Sequence, residues 1–108
     1  MSGFQDVLKN SQKLHEVFKH TQTEISNLQV TGVAGAGMVI VNMNGRYQVL
    51  QIIIEDDAWL EGKGFVEELT AAATNDAIGK IQEASQHKMS RFASILSAGS
   101  SFAHESLN

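Results

Sequence analysis

The stretch Met38-Val39-Ile40-Val41-Asn42-Met43-Asn44-Gly45-Arg46-Tyr47-Gln48-Val49-Leu50-Gln51-Ile52-Ile53-Ile54 decides the fold. Two β-branched runs flank Asn44-Gly45, the strongest short hairpin signal, because both central residues of a type I′ turn need positive φ. A two-residue turn there places Val39 and Val41 on one sheet face with Leu50 and Ile52. It places Met38 and Ile40 on the opposite face with Val49 and Ile53. Both faces are then apolar. The chain's own helices can cover one, and a second copy of the chain is the simplest cover for the other. Upstream, Leu28-Gln29-Val30-Thr31-Gly32 reads as a further strand, with Gly32, Gly35 and Gly37 supplying the turn between. The reading is a three-stranded antiparallel meander over Leu28 to Glu55.

On either side the period changes from two to that of a helix. From Phe4 to about Asn27, apolar or small residues recur at spacings of three and four: Phe4, Val7, Ser11, Leu14, Phe18, Thr21, Ile25 and Leu28. That is one stripe of a long helix, with Gln, Lys, Glu, His and Asn between. After the acidic turn Glu55-Asp56-Asp57, a second long helix is expected from about Gly64 to about Ser97. Its early face is Val66, Leu69, Ala73 and Ala77. Its later face is Ile78, Ile81, Ser85, Met89, Phe92 and Leu96. Ala71-Ala72-Ala73 favours helix and permits close approach of another backbone. The fold class is therefore α+β, in the order α-β-β-β-α, with the meander between two long helices. The domain division expected is a single domain over 1–98 and a loose Ser-rich tail over 99–108.

The chain has 108 residues, 43% of them hydrophobic, which fits one ordered domain and excludes wholesale disorder. It has no cysteine, so disulfides and thiolate metal sites are excluded. Met1-Ser2-Gly3-Phe4-Gln5-Asp6 has no basic start followed by an apolar run, and no run is long enough to span a bilayer. A soluble, cytoplasmic protein is the expectation. The net charge of −4 argues against a nucleic-acid partner. A local patch does the binding, however, so the placement of the eight Lys and Arg residues matters more than the sum.

Several segments in register resemble the YbaB/EbfC family. Leu28-Gln29-Val30-Thr31-Gly32 with Gly35-Ala36-Gly37-Met38-Val39 is similar to that family's "VTG…GAGLV" segment. Val41-Asn42-Met43-Asn44-Gly45 is similar to its "V…NG" hairpin, and Ile54 to Leu60 to its "I-D-P…LL" loop. Glu67-Glu68-Leu69 with Ala71-Ala72-Ala73-Thr74-Asn75-Asp76-Ala77 is similar to its "LEDLVAAAFNDA" helix, and Gln82-Glu83 through Lys88-Met89 to its "E…KM" end. The resemblance runs from about Leu14 to Ser90. This chain has Ile78-Gly79-Lys80 where members often carry two arginines, and it has no proline. The resemblance implies a tweezer-shaped homodimer, sheets forming the body and helices projecting, that binds DNA in the nucleoid with little sequence preference.

Sequence-independent binding to duplex DNA is mostly the displacement of counterions from phosphates by Lys and Arg. At 100° per residue, Lys9, Lys13 and His20 share one side of the first helix, with Lys19 to one side. On the second helix Lys80, His87 and Arg91 align, with Lys88 beside them, and Arg46 sits at the hairpin tip. The expected phosphate contacts are thus Lys9, Lys13, Lys19, Arg46, Lys80, Lys88 and Arg91. Val39, Val41, Leu50, Ile52 and Trp59 are the expected core and dimer residues. A dimer doubles each patch. The second function class weighed is a dimeric scaffold that partners a repair or replication protein and hardly touches DNA.

No constellation for catalysis stands out, and no cofactor, membrane or small-molecule substrate is expected. Gly32, Gly35 and Gly37 lack the Gly-Lys-Ser/Thr of a phosphate loop. His15 and His20 are five apart and diverge around a helix, whereas zinc-binding pairs sit four apart on one face. Glu55, Asp56 and Asp57 read as a solvated cluster assisting a helix start.

Overall fold

A computed structural model of the chain describes residues 2–107, with side-chain surroundings for 3–98. The order is α1 (Ser2–Ser26), β1 (Gln29–Ala34), β2 (Val39–Asn44), β3 (Val49–Ile54), α2 (Asp56–Leu60) and α3 (Lys63–Leu107). The α+β meander between two long helices is therefore present. The sheet order is β1-β2-β3, antiparallel throughout. The molecule is elongated, 73 × 22 × 15 Å.

Alternation along β2 builds the core. Val39, Val41 and Met43 point at α3 and are fully buried against Ala73, Ala77 and Ile81. Each large side chain buried this way contributes about 1.5–3 kcal/mol. Small residues on α3 let β1 lie close. At Gly32 an added Cβ would overlap the Ala73 carbonyl oxygen and come within 2.8 Å of the Ala77 Cβ. Gly32 is therefore a strand residue fixed by helix contact, and not part of the turn.

The turns also differ from expectation. Ala36 (φ 54°) and Gly37 (φ 89°) carry the two consecutive positive-φ residues of a type I′ turn, closed by Met38 N–H to Gly35 O at 3.1 Å. The Asn44-Gly45 hairpin instead has three loop residues, Gly45 to Tyr47. Tyr47 N–H donates to Asn44 O at 3.0 Å, Asn44 N–H donates to Gln48 O at 3.1 Å, and the positive φ falls on Tyr47 (62°). The Asn44 carboxamide favours this longer loop by accepting from Arg46 N–H (2.9 Å) and Gln48 N–H (3.1 Å). Gly45 is needed for a different reason: it is buried against α1, where a Cβ would overlap the Ile25 carbonyl oxygen.

The longer loop brings a bulge between Asn42 and Met43, so the register pairs Val49 with Met43. Val49 accordingly leaves the face of Ile40 and Ile53, where the two-residue turn had put it. Ile52 shares the face of Val41 and Ile53 that of Ile40, as expected, each now directly opposite its partner. The face away from α3 is not uniformly apolar. Val33, Ile40 and Ile53 form one apolar row across it. Beside it runs a polar row in which the Thr31 hydroxyl donates to the Asn42 Oδ1 (3.0 Å) and the Asn42 Nδ2 donates to Gln51 Oε1 (3.2 Å).

The acidic turn carries a helix of its own, separate from the long one expected after it. Asp56–Leu60 forms one short helix with Asp56 and Asp57 in its first turn, where the helix dipole favours carboxylates. Glu55 occupies the N-cap position without a side-chain cap bond. At the far end α3 is assigned to Leu107, ten residues beyond the expected stop. The stretch 99–108, expected as a loose tail, lies outside the residues whose side-chain surroundings are described.

Candidate nucleic-acid interface

Two long helices meet at the end of the sheet where the β2–β3 hairpin turns. The second half of α1 packs on α3 through Phe18 and Phe92, ring centroids 5.5 Å apart. Val17, Thr21 and Ile25 are half-buried on the same side, whereas positions 3–16 are exposed on every side within the protomer. Half of α1 therefore projects as an arm. Three long-range polar contacts fix the frame behind it. Lys88 Nζ lies 2.9 Å from Glu24 Oε2, and His20 Nε2 lies 2.7 Å from Glu24 Oε1. Lys80 Nζ donates to the Thr31 carbonyl (2.7 Å) and lies 3.1 Å from Asp76 Oδ2. The same Asp76 oxygen accepts the Val33 N–H at 2.9 Å.

These contacts shift two carboxyl groups in the same direction. The Lys88 hydrogen bond, aided by its charge, holds Glu24 below the ordinary carboxylate range. The Val33 N–H, then the Lys80 hydrogen bond, holds Asp76 below it too. Both groups are therefore ionised anchors at neutral pH.

The seven expected phosphate contacts divide accordingly. Lys80 and Lys88 are engaged within the protomer, Lys80 tying β1 to α3 and Lys88 tying α1 to α3. They line one shallow groove of about 410 Å³ with Glu83, Ala84 and His87. Among the described residues, Lys9, Lys13, Lys19, Arg46 and Arg91 make no ion pair. Lys9 and Lys13 lie on the projecting half of α1, and Arg91 is exposed on α3. Lys19 and Arg46 converge: a groove of about 520 Å³ is lined by both, with Gln22, Thr23, Ser26, Asn27 and Asn44. No wheel of a single helix signals that meeting, because it joins α1 to a hairpin.

Charge is segregated along the long axis. Glu55, Asp56, Asp57, Glu61, Glu67 and Glu68 cluster at α2 and the start of α3, with Lys63 as the one cation among them. Around the arm and hairpin tip, Lys9, Lys13, Lys19, Arg46, Lys80, Lys88 and Arg91 outnumber Asp6, Glu16, Glu24, Asp76 and Glu83. From Glu67 to Lys88 the helix rises roughly 30 Å, about three screening lengths or more at physiological salt. The acidic end is thus electrically remote from the cationic one, and the net charge of −4 does not describe either.

The core and dimer residues split as well. Val39 and Val41 are core, whereas Leu50 (51%), Ile52 (45%) and Trp59 (55%) are exposed. Tyr47, Val49, Ile53 and Leu60 are exposed in the same stretch, with Ile52 and Ile53 on opposite faces of the edge strand β3. Among the described residues, no three His, Asp or Glu side chains gather as a metal site. No described helix is long and apolar enough to cross a membrane. The sequence model of one family, described as the YbaB/EbfC DNA-binding family, matches residues 1–96.

Proposed function

Because the chain belongs to the YbaB/EbfC DNA-binding family, we propose that it is a nucleoid-associated protein that binds duplex DNA as a homodimer. It acts by binding and not by catalysis. The observation that carries this reading is the separation of charge: the cations of α1, the hairpin tip and the later part of α3 lie far from an acidic end. Its contacts are to phosphates, through Lys9, Lys13, Lys19, Arg46 and Arg91, which make no ion pair among the described residues. Little sequence preference follows, since phosphate contacts carry no base information. The second copy seats on the exposed Leu50, Ile52 and Trp59 of β3 and α2, where β3 is an edge strand of the sheet.

Fluorescence anisotropy with a labelled duplex tests the reading at two salt concentrations. Five cations per protomer, doubled in a dimer, give an affinity loss of about 10³-fold or more between about 50 and 200 mM salt. Absence of binding at the lower salt, with the dimer intact, rejects the proposal in favour of a scaffold that does not touch DNA.

A further inference from the structure

We propose that the groove between the end of α1 and the β2–β3 hairpin is a phosphate-binding subsite for the DNA backbone, with Lys19 and Arg46 as its paired cations. This rests on the DNA-binding reading above and names the place where the grip is preorganised.

Three observations carry it. First, the two cations come from elements 27 residues apart and line one groove of about 520 Å³. Neither makes an ion pair among the described residues, and no carboxylate lines that groove. Lys80 and Lys88, by contrast, already hold Asp76 and Glu24. Second, the other lining side chains on the helix side are uncharged, and Gln22, Ser26 and Asn27 carry donors, whereas the Thr23 hydroxyl already donates to Lys19 O at 3.0 Å. A phosphate takes hydrogen bonds from such groups as well as from cations.

Third, the tip is rigid where it must be. Gly45 N–H donates to Leu28 O at 2.9 Å, which seats the hairpin on the end of α1. The Asn44 carboxamide then holds the Arg46 and Gln48 N–H groups. The Arg46 backbone is fixed, so only its side chain is ordered when a phosphate binds. A guanidinium offers two parallel donors to phosphate oxygens, a geometry that lysine lacks. The nearby C-terminal end of α1 is the negative end of that helix's dipole, an effect confined to the last turn and screened by salt, which two full positive charges outweigh.

The competing role for two cations here is to complement the negative end of the α1 dipole. Binding and stability separate the two. The full chain is compared with Lys19→Ala/Arg46→Ala, with Arg46→Ala alone, and with Lys63→Ala as the charge-matched change at the acidic end. A labelled duplex supplies affinity at several salt concentrations, and circular dichroism supplies the thermal midpoint.

The subsite predicts at least a tenfold weaker Kd for the double variant. The slope of log affinity against log salt should flatten by about 0.9 for each phosphate released, about two for a dimer with two grooves. Thermal midpoints should stay unchanged, and Lys63→Ala should bind as the parent does. The inference is overturned if the parent binds DNA while the double variant stays within twofold of it. It is equally overturned if Arg46→Ala and Lys63→Ala weaken binding alike, or if the double variant lowers the midpoint while keeping its salt slope. A parent chain that fails to bind duplex at low salt removes the DNA-binding reading itself, and the subsite with it.

Discussion

Replacing Gly32 by alanine should unfold much of this protein's stability margin. The added methyl meets two backbone atoms and one short side chain: it overlaps the Ala73 carbonyl oxygen and falls 2.6 Å from Ala77 N and 2.8 Å from Ala77 Cβ. None of these is the end of a flexible side chain, so β1 must move off α3. Overpacking of this kind costs about 1–3 kcal/mol. The movement also stretches two bonds between β1 and α3, Val33 N–H to Asp76 (2.9 Å) and Lys80 to Thr31 O (2.7 Å). At about 1 kcal/mol each, these bring the loss to roughly 3–5 kcal/mol, against about 5–15 kcal/mol for a whole domain. Gly37→Ala is the control, since a Cβ there meets nothing within 4 Å and only its φ of 89° is unfavourable. That costs about 1–2 kcal/mol. Urea unfolding followed by circular dichroism, at one fixed protomer concentration, measures both. If Gly32→Ala destabilises no more than Gly37→Ala, close packing of β1 on α3 does not govern the fold.

Acid should loosen the frame before it unfolds the sheet. Glu24 and Asp76 are both held below the ordinary carboxylate range in the folded chain. Their contribution is therefore complete above the unfolded values, about pH 4–5 and higher, and is lost as pH falls through the folded ones. Stability plotted against pH should fall less steeply below about pH 5 for Glu24→Gln/Asp76→Asn than for the parent; parallel curves contradict the anchoring role. Ile52→Lys, at a residue 45% exposed on the edge strand, should convert a dimer to a monomer in sedimentation while keeping its helical circular dichroism. A variant that remains dimeric places the partner elsewhere.

What the sequence made legible is local. The periods of three to four and of two located α1, α3 and the three strands, and the fully buried positions Val39, Val41, Ala73, Ala77 and Ile81 fell on the faces that periodicity marked. Turn chemistry was less readable. Asn44-Gly45 carries the signal of a two-residue loop, yet its glycine is required by the approach of Ile25, and one extra loop residue moved Val49 across the sheet. Short α2 was hidden because five residues hold little periodic signal.

Least legible was the division of labour among the cations. A helical wheel places Lys80 in line with Arg91, sets Lys88 beside them and puts Asp76 one turn before Lys80, but gives no hint that Thr31 and Glu24 meet these lysines. Those partners lie on other elements or depend on β1 register, with Glu24 64 residues from Lys88 and Thr31 49 from Lys80. The convergence of Lys19 with Arg46 is of the same kind.

The seating of Gly45 on α1 has a bearing on chemical durability. An asparagine followed by glycine is the sequence most prone to lose its side-chain amide, through attack of the glycine nitrogen on the carboxamide carbon. Here that nitrogen's hydrogen is held by Leu28 O, and the carboxamide is pinned by Arg46, Gln48 and the Gln48 side chain. Ring closure to a succinimide needs both groups to turn toward each other, which the folded hairpin forbids. Conversion to aspartate or isoaspartate should therefore proceed through opened molecules alone, so that the ageing of stored protein at this one peptide bond becomes a clock of how often the hairpin lifts from the helix.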